Sequence, residues 1–422
     1  MKTLMEKLQN HPQLSGYKVN VQNKESFELF FVKGKLETVR STDTCDQTVT
    51  VYADHDGCKG DAMFCVYAST TDEELDELIE KAAAKALLIS NEAYELPQKE
   101  EGEYAVESNF RDYAPVELAT TIAQTVFAAN TVEHGSLNSV EIFIKKYHDT
   151  VMNSNGLHKT QIRYDAMVEA IPTYNGERES VELYEQYNFS SLDVDALRAE
   201  IAEKMEEVQA RYEAVKPDFQ LKGDVILHKL ELENLFTSIA GNLNYAAVYG
   251  HTNVFQKGDA VQADLTGDPI TIAMEGQTHG NVASRNFDGD GLTLRDTVVV
   301  ENGKAVSYYG ANRFGQYLGE NPTGNLGCCH VAPGSLEEAD LKTGLEVVSM
   351  SGLQVDFYND YVGGEVRLAY YYKDGKKIPV TGVSITGKLR EVLSHIRLSK
   401  EEAIHDSYVG PAKARLSCMK IF

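Results

Sequence analysis

From residue 217 onward the chain is punctuated by tight-turn dipeptides, and their spacing constrains the fold more than any other feature. Asp288-Gly289, Asp290-Gly291, Asn302-Gly303, Gly363-Gly364 and Asp374-Gly375 separate short runs such as TLRDTVVV, AVSYYG, EVRLAYYY and KIPVTGVSIT. Asn, Asp and Gly tolerate the positive φ that two-residue hairpin turns require. Short strands joined in this way predict a mostly antiparallel β domain, sandwich or barrel-like. Three stretches read as helices within it: LFTSIAGNLNYAAV, SLEEADLK and GKLREVLSHI.

The first half has a different rhythm. ESFELFFVKGKLETV alternates about a turn at Lys33-Gly34-Lys35, and QTVTVYADHDGCKGDAMFCVYAS turns at Asp56-Gly57. TTDEELDELIEKAAAKALLIS follows, with Thr71 and Glu74 at capping-box spacing and Leu75, Leu78, Ile79, Ala82 and Ala86 on one face. A comparable order then recurs: a helix in APVELATTIAQTVFAAN, strands around Asn155-Gly156 and Asn175-Gly176, and a long helix from Asp193 to Ala214. Val194, Leu197, Ile201, Met205, Val208 and Tyr212 form its apolar stripe. VKPDFQLKGD, broken by Pro217, is the linker candidate. The expected class is α+β, an N-terminal two-layer α/β region followed by a mostly antiparallel β C-terminal domain. The expected domains are 1–95, α/β; 96–216, strand–helix; and 217–422, β-rich.

Forty basic against 64 acidic residues give a net charge of −24. Such a surface repels phosphate backbones and anionic headgroups, so neither direct nucleic-acid binding nor membrane binding is expected. MKTLMEKLQNHPQL has a helical rhythm without the apolar core of a secretion signal, and no apolar run approaches the ~18 residues of a membrane span. A cytoplasmic protein is expected. Six cysteines in 422 residues suit a reducing compartment.

A search for chemistry returns little. Cys328-Cys329-His330 offers zinc-ligand types, but adjacent side chains diverge and structural sites space their cysteines. Partly buried thiols are the plainer reading there, as a packed thiol pair is for Cys58 and Cys65 on either side of a hairpin. His228, His251 and His279 stand singly. Asp288 and Asp290 lack the later acidic positions of a calcium loop and read as turn residues. No HExxH, GxSxG, phosphate-binding loop or dinucleotide fingerprint is present.

The order of pieces in the second half is nonetheless specific. GDPITIAMEG, SRNFDGDGLTLRDTVVVENGKAVSYYG, NPTGNLG, HVAPGSLEEADLKTGLEVVSMSG and the segment from QVDFYNDYVGGEV to GKLREVLSHI together resemble the TldD/PmbA family, as do VMNSNGL and GDAMFCVYASTTDEELDELIEKAAAKA upstream. The resemblance implies a peptidase family whose catalytic members carry zinc on a helix with an HExxxH motif, with a third ligand from a cysteine in a C-terminal CGK-like turn. Zinc there lowers the pKa of a bound water so that hydroxide attacks a peptide carbonyl.

That helix aligns with LFTSIAGN, so Thr237 and Asn242 stand where the histidines would be and Ser238 replaces the glutamate. The C-terminal turn reads IHDSYVGPAKARLSC, without CGK, and Cys418 is expected too late, within the last strand. Hydroxyl and carboxamide oxygens are weak zinc ligands beside imidazole and thiolate. Five residues turn a helix through about 500°, leaving the two motif side chains ~140° apart. Gly241 therefore marks either a π-type distortion or close packing.

The resemblance thus implies the metal-free branch called TldE or PmbA, with no catalytic residue and no cofactor of its own. It implies a TldD-like zinc subunit as partner, or self-association as a homodimer, and peptide or unfolded segments as substrate. The family's older association with DNA gyrase would then be indirect, given the charge. Two alternatives stay open: an active metallopeptidase with a relocated metal site, using Cys328, Cys329 and His330 or His251 and His279, and a stand-alone peptide-binding scaffold.

Overall fold

A computed structural model describes residues 2–422. The first half builds one nine-stranded sheet. Its order is Asn91–Glu92, Cys58–Val66, Lys35–His55, Gly16–Val32, Gly135–Asn153, His158–Tyr174 and Glu101–Ala105, with Val181–Glu182 and Glu185–Phe189 also on His158–Tyr174. The Lys33-Gly34 and Asp56-Gly57 turns form with positive φ at all four residues. Between them KLETV and QTVTV merge into a single strand of 21 residues. Gly16–Val32 pairs with Gly135–Asn153 from Lys18 to Val32, so the expected division at 95/96 falls within one sheet. The repeated strand–helix order reflects two hairpins zipped together by non-local pairing.

Alternation decides the faces. Val19, Val21 and Leu29 share one face of their strand and are buried under helices. Helix Asp72–Ala86 carries the expected Thr71–Glu74 capping box and buries Leu75, Ile79, Ala82, Ala83 and Ala86. Helices Pro115–Ala128 and Val194–Glu213 cover the remainder through Leu118, Ile122, Ile201 and Met205. The opposite face is largely polar, carrying Lys18, Asn20, Gln22, Asp149, Gln161 and Arg163. It meets the second half of the chain through Val151, Leu157 and Phe287.

The second half forms two sheets. One has nine strands, with Val225–His228, Leu345–Met350, Tyr361–Lys373 and Val383–Gly387 at its centre. The other has six: Lys304–Ala305, Thr297–Glu301, Ile272–Glu275, Cys328–Val331, Tyr408–Pro411 and Glu402–His405. Pairing is mostly antiparallel, with parallel exceptions at Val225–Leu345 and Cys329–Tyr408. Helix Lys229–Gly241 packs against strands of both sheets and buries Leu232, Leu235, Phe236 and Ile239 completely.

Three local expectations change. Gly363-Gly364 is not a turn but lies inside the strand Tyr361–Lys373, where an added Cβ would approach the Ile385 carbonyl oxygen to 2.3 Å and that of Gly352 to 2.5 Å. These glycines admit a neighbouring backbone. The linker candidate is docked, since the Val215 N–H donates to the Pro379 carbonyl and the Thr381 N–H to that of Val215. Cys58 and Cys65 lie seven positions apart on one strand, opposite His55 and Thr48, so they do not face each other.

Candidate functional site

Helix Lys229–Gly241 is regular α-helix throughout. A Cβ added to Gly241 would meet open space, so that glycine marks neither a bulge nor a close approach. Thr237 and Ser238 sit half-buried at the edge of the apolar face. The Thr237 hydroxyl donates back to the Glu233 carbonyl at 2.6 Å, and the Ser238 hydroxyl to Asn234 Oδ1 at 3.4 Å. Asn242 ends the helix. Its Nδ2 donates to the Ser238 carbonyl at 3.0 Å, and its Oδ1 accepts the Val254 N–H at 2.8 Å. Thr237 and Asn242 thus serve the backbone, as short polar side chains commonly do, and Ser238 bonds a neighbouring side-chain amide.

One turn before Thr237, the helix meets the hairpin formed by Glu402–His405 and Tyr408–Pro411. Glu233 Oε2 accepts from His405 Nδ1 at 2.5 Å, while Oε1 accepts the Ser407 N–H at 3.0 Å and its hydroxyl at 2.5 Å. Asp406, in the left-handed region at φ 43°, accepts at Oδ1 from Asn188 Nδ2 at 2.7 Å. Phe236 and Tyr408 stack nearly parallel, 6.2 Å between centroids, and fasten the apolar side of the contact. Burial pushes the Glu233 carboxyl up, but hydrogen bonds from His405 and Ser407 outweigh it and hold the group below its ordinary value. Burial pushes His405 down, but the Glu233 hydrogen bond and the charges of Asp406 and Glu233 raise it. Between pH 4.5 and 6.5 the pair is therefore carboxylate and imidazolium.

Glu233, His405 and Asp406 each bring one ligand atom within 4.8 Å of the others, the one such group among the described residues. Both Glu233 oxygens accept hydrogen bonds and the imidazole favours its charged form, so a divalent ion at this trio would have to displace the His405 proton and the Ser407 donors. Sequence reading missed this trio. The HDS of the C-terminal turn was visible, but nothing local ties it to Glu233, 172 residues away.

The other candidates separate. Cys328 and Cys329 are fully buried on successive positions of one strand, with thiols pushed up by burial. His330 Nδ1 lies 2.9 Å from Glu275. His228 pairs with buried Glu346 at 3.0 Å, whereas His251 and His279 are exposed. Asp288 takes the turn role, accepting backbone N–H groups of Asp290, Leu292 and Asn325. Cys418 lies not in the last strand but in an exposed bend before it, at φ 67°.

A second buried polar knot lies at the start of the helix. Glu231, 4 % exposed, has an Oε2 with no hydrogen-bond partner, and burial pushes its carboxyl up to about 7. Lys204 and Glu185 act on it electrostatically, and Lys204 itself bonds Glu207 at 2.7 Å.

With this geometry in view, comparison with known proteins places the molecule. Residues 221–421 match the family model described as PmbA/TldA metallopeptidase C-terminal domain, and residues 17–86 match PmbA/TldA metallopeptidase domain 1. The chain belongs to the TldD/PmbA family. It is 26 % identical over 192 residues to a metalloprotease PmbA homolog of Haemophilus influenzae, covering 42 % of each chain. It is 25 % identical over 257 residues to an uncharacterized protein of Methanocaldococcus jannaschii, covering 57 % of this chain and 59 % of that one. These matches thus span about half the length of both relatives. The fold is shared with TldE from Thermococcus kodakarensis, at TM-score 0.80 and 17 % identity, over 99 % of both chains.

Proposed function

We propose that this chain is a TldE/PmbA-like, metal-free and non-catalytic subunit that assists a TldD-type zinc metallopeptidase in the proteolysis of peptides or unfolded segments. One observation carries the reading. At the helix where the family resemblance implies HExxxH, Thr237, Ser238 and Asn242 offer only neutral donors, each engaged with nearby backbone or amide groups. The glutamate one turn earlier is held by an imidazolium and a serine instead of being free to polarise water.

The partner is a zinc-bearing paralogue, with self-association the competing arrangement. Among the described residues no helix is long and apolar enough to cross a membrane, which is compatible with the proposed cytoplasmic location. Elemental analysis of the purified chain, together with peptide hydrolysis by the chain alone and mixed with a zinc-bearing family member, tests the reading. Expected are no stoichiometric metal, no cleavage alone, and complex formation that raises turnover in the mixture. A stoichiometric ion at the 229–241 helix, or chelator-sensitive cleavage by the chain alone, would overturn it.

A further inference from the structure

Where the polar face of the first sheet meets the second half of the chain, a cavity of about 580 Å³ remains open. Asn20, Gln22, Asp149 and Arg163 contribute from the sheet, and Arg285 and Asn325 from the opposing loops. The two arginines differ in their surroundings. Arg163 donates from Nε to Asp149 Oδ2 at 2.9 Å and lies 3.6 Å over the Tyr147 ring. Arg285 forms no ion pair among the described residues. Its Nη1 donates to the carbonyls of Val282 at 2.8 Å and Ser284 at 2.7 Å, which fix the guanidinium without neutralising it.

Burial and then the like charge of Arg163 push Arg285 down to about 10, with Asp149 and Asp165 opposing only in part. A partly buried guanidinium that shares this cavity with a second cation is an unfavourable arrangement that an anion would relieve. The neighbouring carboxylates do not supply that anion. Asp149 is engaged by Arg163 and by Gln22 Nε2 at 2.8 Å, Asp165 is shared between Lys145 at 3.6 Å and Arg163 at 3.8 Å, and Asp288 is held by three backbone N–H groups. Asp46 lies exposed. On the sheet side Asn20 Oδ1 is buried with no partner, an acceptor waiting for an N–H. Leaving such an oxygen dry costs about 1–3 kcal/mol, so a donor arriving there is favoured.

We infer that this cavity binds the C-terminal residue of a peptide, its free carboxylate on Arg285 and its amide N–H toward Asn20. One amino-acid residue presents both groups close together, and a planar guanidinium matches a carboxylate through two parallel hydrogen bonds. The choice of a peptide as ligand rests on the function proposed above; the demand for a buried anion rests on Arg285 alone. For the companion-subunit reading, the cavity would retain a chain end released by, or awaiting, cleavage elsewhere.

Calorimetric titration of the full chain with trialanine and with trialanine C-terminal amide tests this. The free acid is expected to bind at least about tenfold more tightly than the amide, a difference of about 1.4 kcal/mol. Arg285→Gln is expected to reduce the free acid to the affinity of the amide, and Arg285→Lys, which keeps the charge but not the fork, to fall between. Equal binding of acid and amide, binding of neither, or a preference that survives Arg285→Gln in a folded variant would overturn the inference. The acid–amide comparison needs only the unsubstituted chain, so a variant that fails to fold leaves the test standing. Failure here leaves the companion-subunit reading intact, because that reading is decided by metal content and mixed activity.

Discussion

Glu233 and His405, 172 residues apart in the chain, meet at 2.5 Å and join the 229–241 helix to the C-terminal hairpin. The hairpin pairs with the buried strand Cys328–Val331 through Cys329–Tyr408, so the contact fixes a whole sheet edge to the helix. His405→Ala leaves Glu233 with only the Ser407 donors and is expected to cost about 1.5–3 kcal/mol, the range for a hydrogen bond to a charged group.

The pH dependence of that cost has a definite sign. His405 is raised above its ordinary 6.5, so its contribution is fully present below 6.5 and is lost as pH climbs through the higher folded value. Glu233 is lowered below its ordinary 4.5, so its contribution is present above 4.5 and is lost as pH falls through the lower folded value. Thermal melts of wild type and His405→Ala across pH should therefore differ most between about 4.5 and 6.5 and converge on the alkaline side. A pH-independent difference would show that the pair is not ionised as described.

Glu231 should behave in the opposite way from Glu233, although two residues away on the same helix. Its carboxyl is raised to about 7, chiefly by burial, with its own backbone N–H and Lys204 pulling the other way. The neutral form is therefore favoured in the fold, and stability is lost as pH rises from 4.5 through about 7. Glu231→Gln keeps the shape and removes the ionisation. The variant should melt at a higher temperature than wild type above pH 7, by an amount worth on the order of 1–3 kcal/mol, and approach it at acidic pH. A variant less stable at every pH would mean that Glu231 holds a charge the cluster needs.

Much of the local structure was legible because its causes are local. The Thr71–Glu74 box, the Lys33-Gly34 turn and the Leu197–Ile201–Met205 stripe each depend on residues within one turn or hairpin. What escaped depends on partners distant in sequence. The pairing of Gly16–Val32 with Gly135–Asn153, which unites two expected domains, leaves no mark in either segment alone. Gly363-Gly364 reads as a turn because glycine serves equally for positive φ and for close backbone approach, and only the positions of Ile385 and Gly352 decide between them. Thr237, Ser238 and Asn242 were visible as replacements, but their hydrogen-bond partners were not, and Glu233 stood out only once His405 was placed against it.

Rebuilding the family motif by Thr237→His, Ser238→Glu and Asn242→His should not create a peptidase. In the regular helix seen here, positions 237 and 242 project ~140° apart, so two imidazoles would not converge on one ion without unwinding the helix. Losing Asn242 also frees the Val254 N–H, which now donates to its Oδ1 at 2.8 Å, and so loosens the loop that follows the helix. The facing hairpin turn supplies His405, Asp406 and Ser407 but no cysteine, and His405 is already bound to Glu233. A zinc site lacking its third ligand and the groups that orient the others loses affinity steeply. The triple variant, incubated with zinc and dialysed, should retain no stoichiometric metal and show no peptide hydrolysis above wild type. Chelator-sensitive cleavage by the variant would mean that the helix adapts to the metal, and that the three neutral side chains alone separate this chain from an active enzyme.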